Sequence, residues 1–350
     1  MPGIIASNTV DLTHPKVRAV AKRVLHTFLI ASERAVASEA EPATYKIPSQ
    51  ANSAEQIFRS RFLALEPSVR QAATARVMPL VKAPKSTREQ HFGDLGGLDL
   101  RLATPIVDVV KNLPFPATLK FPIGELHGLH VPTDLLHVGL VPQQSLHHLE
   151  MRIHKVRCVD ECNPEWAGDD EIALGGSDTD ETGDTRKLSE FRVGNSFDDG
   201  DEKVYSPPKV FTSFNMLEGS EWPKSYFVTM VLAEKDMGGL GDFLNKLVDA
   251  VKGHLLEALT TAVGGAIGSA LGPLGAIIGA ALGWVVGRIF EWLKSWWSDD
   301  VFPPQTVSVT LDSLASRWSG GATDSPQYVA RFAAHGGTYD VTYDWRLAAA

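Results

Sequence analysis

Only two cysteines, Cys158 and Cys162, occur in 350 residues. Two thiols cannot make a disulfide framework, so bridges are excluded as the main source of stability. Synthesis in a reducing cytoplasm is the expectation. The opening Met1-Pro2-Gly3-Ile4-Ile5-Ala6 lacks a basic stretch followed by an apolar run of about 7–15 residues, so no cleaved secretory signal is expected. A protein of this kind that acts outside the cell leaves by a signal-independent route.

Catalytic signatures are also missing. There is no G-x-S-x-G elbow, no H-E-x-x-H, no phosphate loop and no G-x-G-x-x-G after a strand. A non-enzymatic role is therefore expected, with a metal-dependent hydrolase as an alternative. No basic stripe runs through the sequence, so nucleic acid is not an expected partner.

Charge is present but unevenly placed. The net charge is −9, and the stretch from Asp160 to Glu202 holds 15 acidic residues against three basic ones. Its clusters include Asp169-Asp170, then Asp178, Asp180 and Asp184, then Asp198, Asp199 and Asp201. Carboxylates spaced by one residue around glycine suit a hard cation, so these loops are candidate Ca²⁺ ligands. Residues 178–183 read D-x-D-x-x-G, but Ser189 stands where an EF-hand needs Glu. An EF-hand is rejected, and a solvated acidic loop fits the same pattern. Six of the 11 histidines (His127, His130, His137, His147, His148 and His154) cluster within residues 127–154, just ahead of the cysteines. Their spacing matches no zinc signature, and zinc is not expected.

From Ala258 to Gly287 no residue is charged. Gly264, Gly268 and Gly272 recur at every fourth position, as do Gly275, Gly279, Gly283 and Gly287. Helical spacing puts each series on one face and lets another backbone approach closely. Glycine costs about 1 kcal/mol against alanine inside a helix, so the pattern calls for a reason. Gly272-Pro273-Leu274-Gly275 is expected to turn the chain and make a helical hairpin with two short limbs. Before it, Phe243, Leu244, Leu247, Val248 and Val251 form an amphipathic stripe. Trp284 lies within the apolar run, and Trp292, Trp296 and Trp297 follow it beside Arg288 and Lys294, as at a membrane–water boundary. A lipid membrane and a homo-oligomer are the expected partners. A soluble pair of packed helices that mediates self-association gives the same pattern.

The rest of the chain changes character once. Residues 1–95 read as helical, with Val17–Ala37 one run and Ala54–Leu80 another behind a Ser53/Gln56 capping box. Beyond residue 96 short β-like runs appear: 102–110, 149–153 with a parity shift at Val156 and Cys158, 226–232, 307–311 and 339–347. The expected fold is α+β: a helical segment, then an antiparallel β-sandwich over 96–350. The hairpin, residues 238–298, is inserted between neighbouring strands near Glu234 and Thr306. Together these features point to a membrane-active protein, a pore-forming or membrane-perturbing toxin or effector, under Ca²⁺ modulation.

Overall fold

The computed structural model describes residues 4–7, 12–125, 146–162, 171–194, 197–219, 222–234, 240–264, 271–294, 302–334 and 336–349. The helices are α1 (Pro15–Ala40), α2 (Ala54–Ala64), α3 (Pro67–Val81), α4 (Lys85–Phe92), α5 (Ile106–Lys111), α6 (Leu240–Val263) and α7 (Leu271–Lys294). The strands are β1 (Ile4–Ser7), β2 (His148–Asp160), β3 (Ile172–Thr179), β4 (Thr185–Gly194), β5 (Glu202–Asn215), β6 (Lys224–Glu234), β7 (Gln305–Leu311), β8 (Tyr328–Ala334) and β9 (Gly337–Ala348). They form a five-stranded sheet, β1-β7-β6-β3-β4, and a four-stranded sheet, β5-β2-β9-β8, both antiparallel. The class is α+β.

Strand β6 shows why the layers stack. Tyr226, Val228, Met230 and Leu232 join one apolar cluster with Met151, Ile153, Val341, Tyr343 and Trp345 of the four-stranded sheet. The alternate residues Val231 and Ala233 join a second cluster, made with the helices. A strand apolar on both faces is covered on both faces. Its partner is β7, with Lys224 opposite Leu311 and Met230 opposite Gln305. The parity shift in β2 is real too: its register with β9 slips between Ile153 and Lys155.

Helix α1 runs through the middle of the helical layer, buried along most of its length. Its interior holds charges. Arg88 donates to the Glu33 carboxylate at 2.8 Å, and Arg34 lies 3.1 Å from Glu55. Burial raises the Glu33 pKa to about 7 against the opposing pull of Arg88. Ser53 caps α2 by accepting from the Gln56 N–H at 3.3 Å. The box is not reciprocal, because the Gln56 side chain donates to the Pro48 carbonyl at 2.7 Å.

Four expectations are corrected. Residues 54–80 are two helices, parted at Leu65-Glu66 ahead of Pro67. Residues 106–111 form helix α5, not a strand: the Ile106 N–H donates to the buried Glu55 carboxylate at 2.8 Å, and Ile106 and Val110 are buried one turn apart. That anchoring overrides the β-preference of a Val-rich run. Residues 4–7 are a strand that pairs with β7, Ile4 opposite Leu311 and Ser7 opposite Ser308. Finally, Pro273 lies in the first turn of α7, where a missing N–H costs nothing. The helix ends earlier, at Gly264, and α6 and α7 have 24 residues each rather than two short limbs.

Candidate functional site

The α6–α7 pair leaves the five-stranded sheet after β6 and rejoins it at β7. The predicted stripe on α6 is buried: Phe243, Leu244, Leu247, Val248 and Val251 are at most 5% exposed. The Phe243 ring stands 5.9 Å from Phe58 of α2 and 6.0 Å from Phe290 of α7. The His254 ring lies 6.3 Å from Phe28 of α1. On α7, Ile278, Leu282, Val285, Val286, Ile289 and Leu293 enter the same cluster. The hairpin is therefore an apolar layer held between the N-terminal helices and one sheet.

The glycines divide by role. Gly264 has φ +76° and donates its N–H to the Thr260 carbonyl at 3.1 Å, so it ends α6 rather than forming a contact face. Gly279 and Gly283 do form such a face, but it meets the sheet. A Cβ at Gly279 would lie 2.3 Å from the Phe227 ring of β6, and one at Gly283 would lie 2.8 Å from the Thr306 methyl of β7. Gly287 faces open space. Gly272 and Gly275 belong to the first turns of α7. The close approach the glycines permit is helix on sheet; at Gly279 and Gly283 it is not helix on helix.

Trp284 and Trp292 are partly buried against the helical cluster. The Trp292 ring meets Phe92 edge-on, with centroids 6.3 Å apart. Arg288 sits over Trp284 at 5.8 Å. In this conformation Trp292 docks a helix end on the N-terminal layer. Gly268, Trp296 and Trp297 lie outside the described residues, as do Asp169 and Asp170.

The described part of the acidic segment is largely built into strands and turns. Asp178 belongs to β3, is 1% exposed, and accepts from Arg186 at 2.8 and 3.1 Å and from the Thr212 hydroxyl. Asp180 accepts from the N–H groups of Thr182 and Asp184 at 2.9 and 3.0 Å and from the Thr182 hydroxyl, so it builds the β3–β4 turn. Asp184 lies 3.4 Å from Lys252 of α6. Asp198, Asp199 and Asp201 are exposed on the β4–β5 turn. Asp199 accepts from the Glu161 N–H at 2.8 Å, and Asp201 from the Asp198 N–H at 3.2 Å. Among the described residues no three His, Cys, Asp or Glu side chains gather where a metal ion could sit. A cation at Asp178 or Asp180 would have to displace partners already in place.

One buried charge was not legible in the sequence. Lys224, 1% exposed, donates to the Met216 and Gly219 carbonyls at 2.7 and 2.9 Å and to that of Glu218. Its ammonium lies 3.2 Å from the Glu181 carboxylate and 4.6 Å over the Trp222 ring. This cage pins the β5–β6 connection to the β3–β4 turn. Burial raises the Glu181 pKa, and burial with the nearby Glu181 charge raises that of Tyr226. A lone lysine after Trp-Pro carries no signal of such a role.

No protein-family model, no curated protein and no solved structure matches this chain. Fold and side-chain chemistry alone bear on function. Among the described residues no helix is long and apolar enough to cross a membrane.

Proposed function

We propose that the chain is a non-enzymatic, membrane-active protein in which the α6–α7 hairpin engages lipid and the remainder is the seat that stores it. One observation carries this reading. Strands β6 and β7 pair directly over seven positions, so the hairpin between them is an excursion that the sheet does not need for its own hydrogen bonds. What leaves with it is an apolar pair of helices, each about 36 Å long by helical rise. Exposed ion pairs, Lys187–Asp242 at 2.9 Å and Lys252–Asp184 at 3.4 Å, tie α6 to the sheet side. Such pairs are worth at most about 1 kcal/mol each, so they are weak latches. Membrane perturbation by an inserted hairpin, alone or in oligomers, fits this better than a single span. Any calcium modulation would require the exposed Asp198–Asp201 turn to rearrange, because among the described residues no three such ligands gather.

A reversible staple tests the reading. An ideal Cβ at Gly283 lies 3.3 Å from the Thr306 Cβ, close to the separation a disulfide needs. The native Cys158 and Cys162 are buried. The Gly283→Cys/Thr306→Cys protein, oxidised, should release no trapped dye from vesicles, and reduction should restore release. Wild-type protein that leaves vesicles of several compositions intact from pH 5 to 8 refutes the proposal. The hairpin is then a fixed layer, and sedimentation would show whether it serves self-association.

A further inference from the structure

The N-terminus of α2, helix α5 and the middle of α6 line a half-open cleft of about 510 Å³. That lies within the usual range for small-ligand pockets, about 300–1,000 Å³. His254 lines it; the residue is 6% exposed, and its Nδ1 has no hydrogen-bond partner. A buried polar atom left unpaired is costly, and an occupant that pairs with it recovers that cost. Asp108 and Asp249 line the walls, and one Asp249 oxygen also accepts from the Thr185 hydroxyl of β4 at 3.5 Å. Lys111 also lines the cleft, but its ammonium is taken up by Glu257 at 2.6 Å. Gly253 leaves room, since a Cβ there would meet nothing within 4 Å.

The charge balance decides the class of occupant. An anion finds little here: the α2 N-terminus is capped by Ser53, and the two wall carboxylates repel it. A single metal ion is disfavoured, because among the described residues no three such ligands converge. An occupant that reaches His254 and both carboxylates is extended and positively charged. We propose that this cleft binds an aliphatic di- or polyamine, with ammonium groups on Asp108 and Asp249 and one N–H donated to His254. The imidazole accepts such a bond because it is neutral at pH 7: burial pushes its pKa down to about 4, with Lys111 and Arg23 lowering it and Glu257 and Asp108 opposing.

Calorimetric titration of the full chain with spermidine at pH 7.5 and 0.15 M NaCl tests this. Saturable one-to-one binding is expected. It should weaken at least tenfold in Asp108→Asn/Asp249→Asn, whose altered groups are not core residues. Gly253→Leu should fill the cleft, keep or raise the melting temperature, and abolish binding. Asp198→Asn/Asp201→Asn, on the distant acidic turn, should bind as wild type does. No saturable binding overturns the proposal. So does binding that survives Gly253→Leu, or that is lost with the acidic-turn variant. Tighter binding of inorganic phosphate or Mg²⁺ than of spermidine also overturns it. The titration reads no lipid, so its failure leaves the membrane reading standing, and the converse holds.

Discussion

Replacing Gly279 with alanine sets two opposed terms against each other. Inside a helix the exchange gains about 1 kcal/mol from propensity. At this position the new methyl would sit 2.3 Å from the Phe227 ring, itself only 6% exposed, so the ring or the helix must shift. Overpacking of this kind costs about 1–3 kcal/mol. Gly287, two turns on, gains the same propensity and meets nothing. The propensity term is common to both variants, so their difference isolates the clash, about 1–3 kcal/mol in favour of Gly287→Ala. Urea denaturation of each full-length variant, followed by far-ultraviolet circular dichroism, measures it. In a Phe227→Ala background the two glycine exchanges should become equivalent, because the atom that resists the methyl is gone. Equal shifts for Gly279→Ala and Gly287→Ala in the wild-type background would refute the seating of α7 on β6.

The pH dependence separates two buried groups. With a folded pKa near 4 against about 6.5 in the free chain, His254 binds its proton more readily when unfolded. Its contribution is lost as pH falls from 6.5 toward 4, by up to about 3 kcal/mol. Glu33, raised to about 7, works the other way and favours the folded state as pH falls from 7 toward 4.5. The stability of wild type relative to His254→Gln should therefore decline on acidification, and a flat difference between pH 7 and 4.5 contradicts the burial of His254. Glu55→Ala leaves Arg34 charged and unpaired in the helical layer, where both groups are 0% exposed, and should cost about 3–5 kcal/mol in chemical denaturation. Asp178→Asn should lower the melting temperature equally with and without millimolar Ca²⁺, because its carboxylate serves Arg186 and Thr212; a loss seen only with Ca²⁺ would restore it as a ligand.

What could be read from the sequence was whatever periodicity encodes. The alternation at 307–311 and the dense apolar run at 226–232 located β7 and β6, and their adjacency followed from chain order. The α6 stripe was legible for the same reason. Helix α5 was not, since Ile106-Val107 and Val109-Val110 prefer strands until the Glu55 carboxylate, 51 positions away, takes the Ile106 N–H. The glycine spacing announced a close approach but could not name the neighbour; Phe227 and Thr306 come from strands on either side of the hairpin. Acidic composition likewise said nothing of direction: Asp178 points to Arg186 across a strand pair, while Asp199 sits on an exposed turn.

The pairing of Ile4–Ser7 with Ser308–Leu311 has a consequence for how the chain is made. A ribosome delivers β1 well before its partner, which emerges only after α1 to α7 have been built. The four-stranded sheet waits in the same way, because Leu149 of β2 pairs with Leu347 of β9. Helix α1 is also made long before α6 and α7, which cover it. Long-range pairing of this kind folds slowly and leaves apolar surface open meanwhile. During translation the apolar faces of α1 that α6 and α7 finally cover therefore stay uncovered by them until those helices have been made.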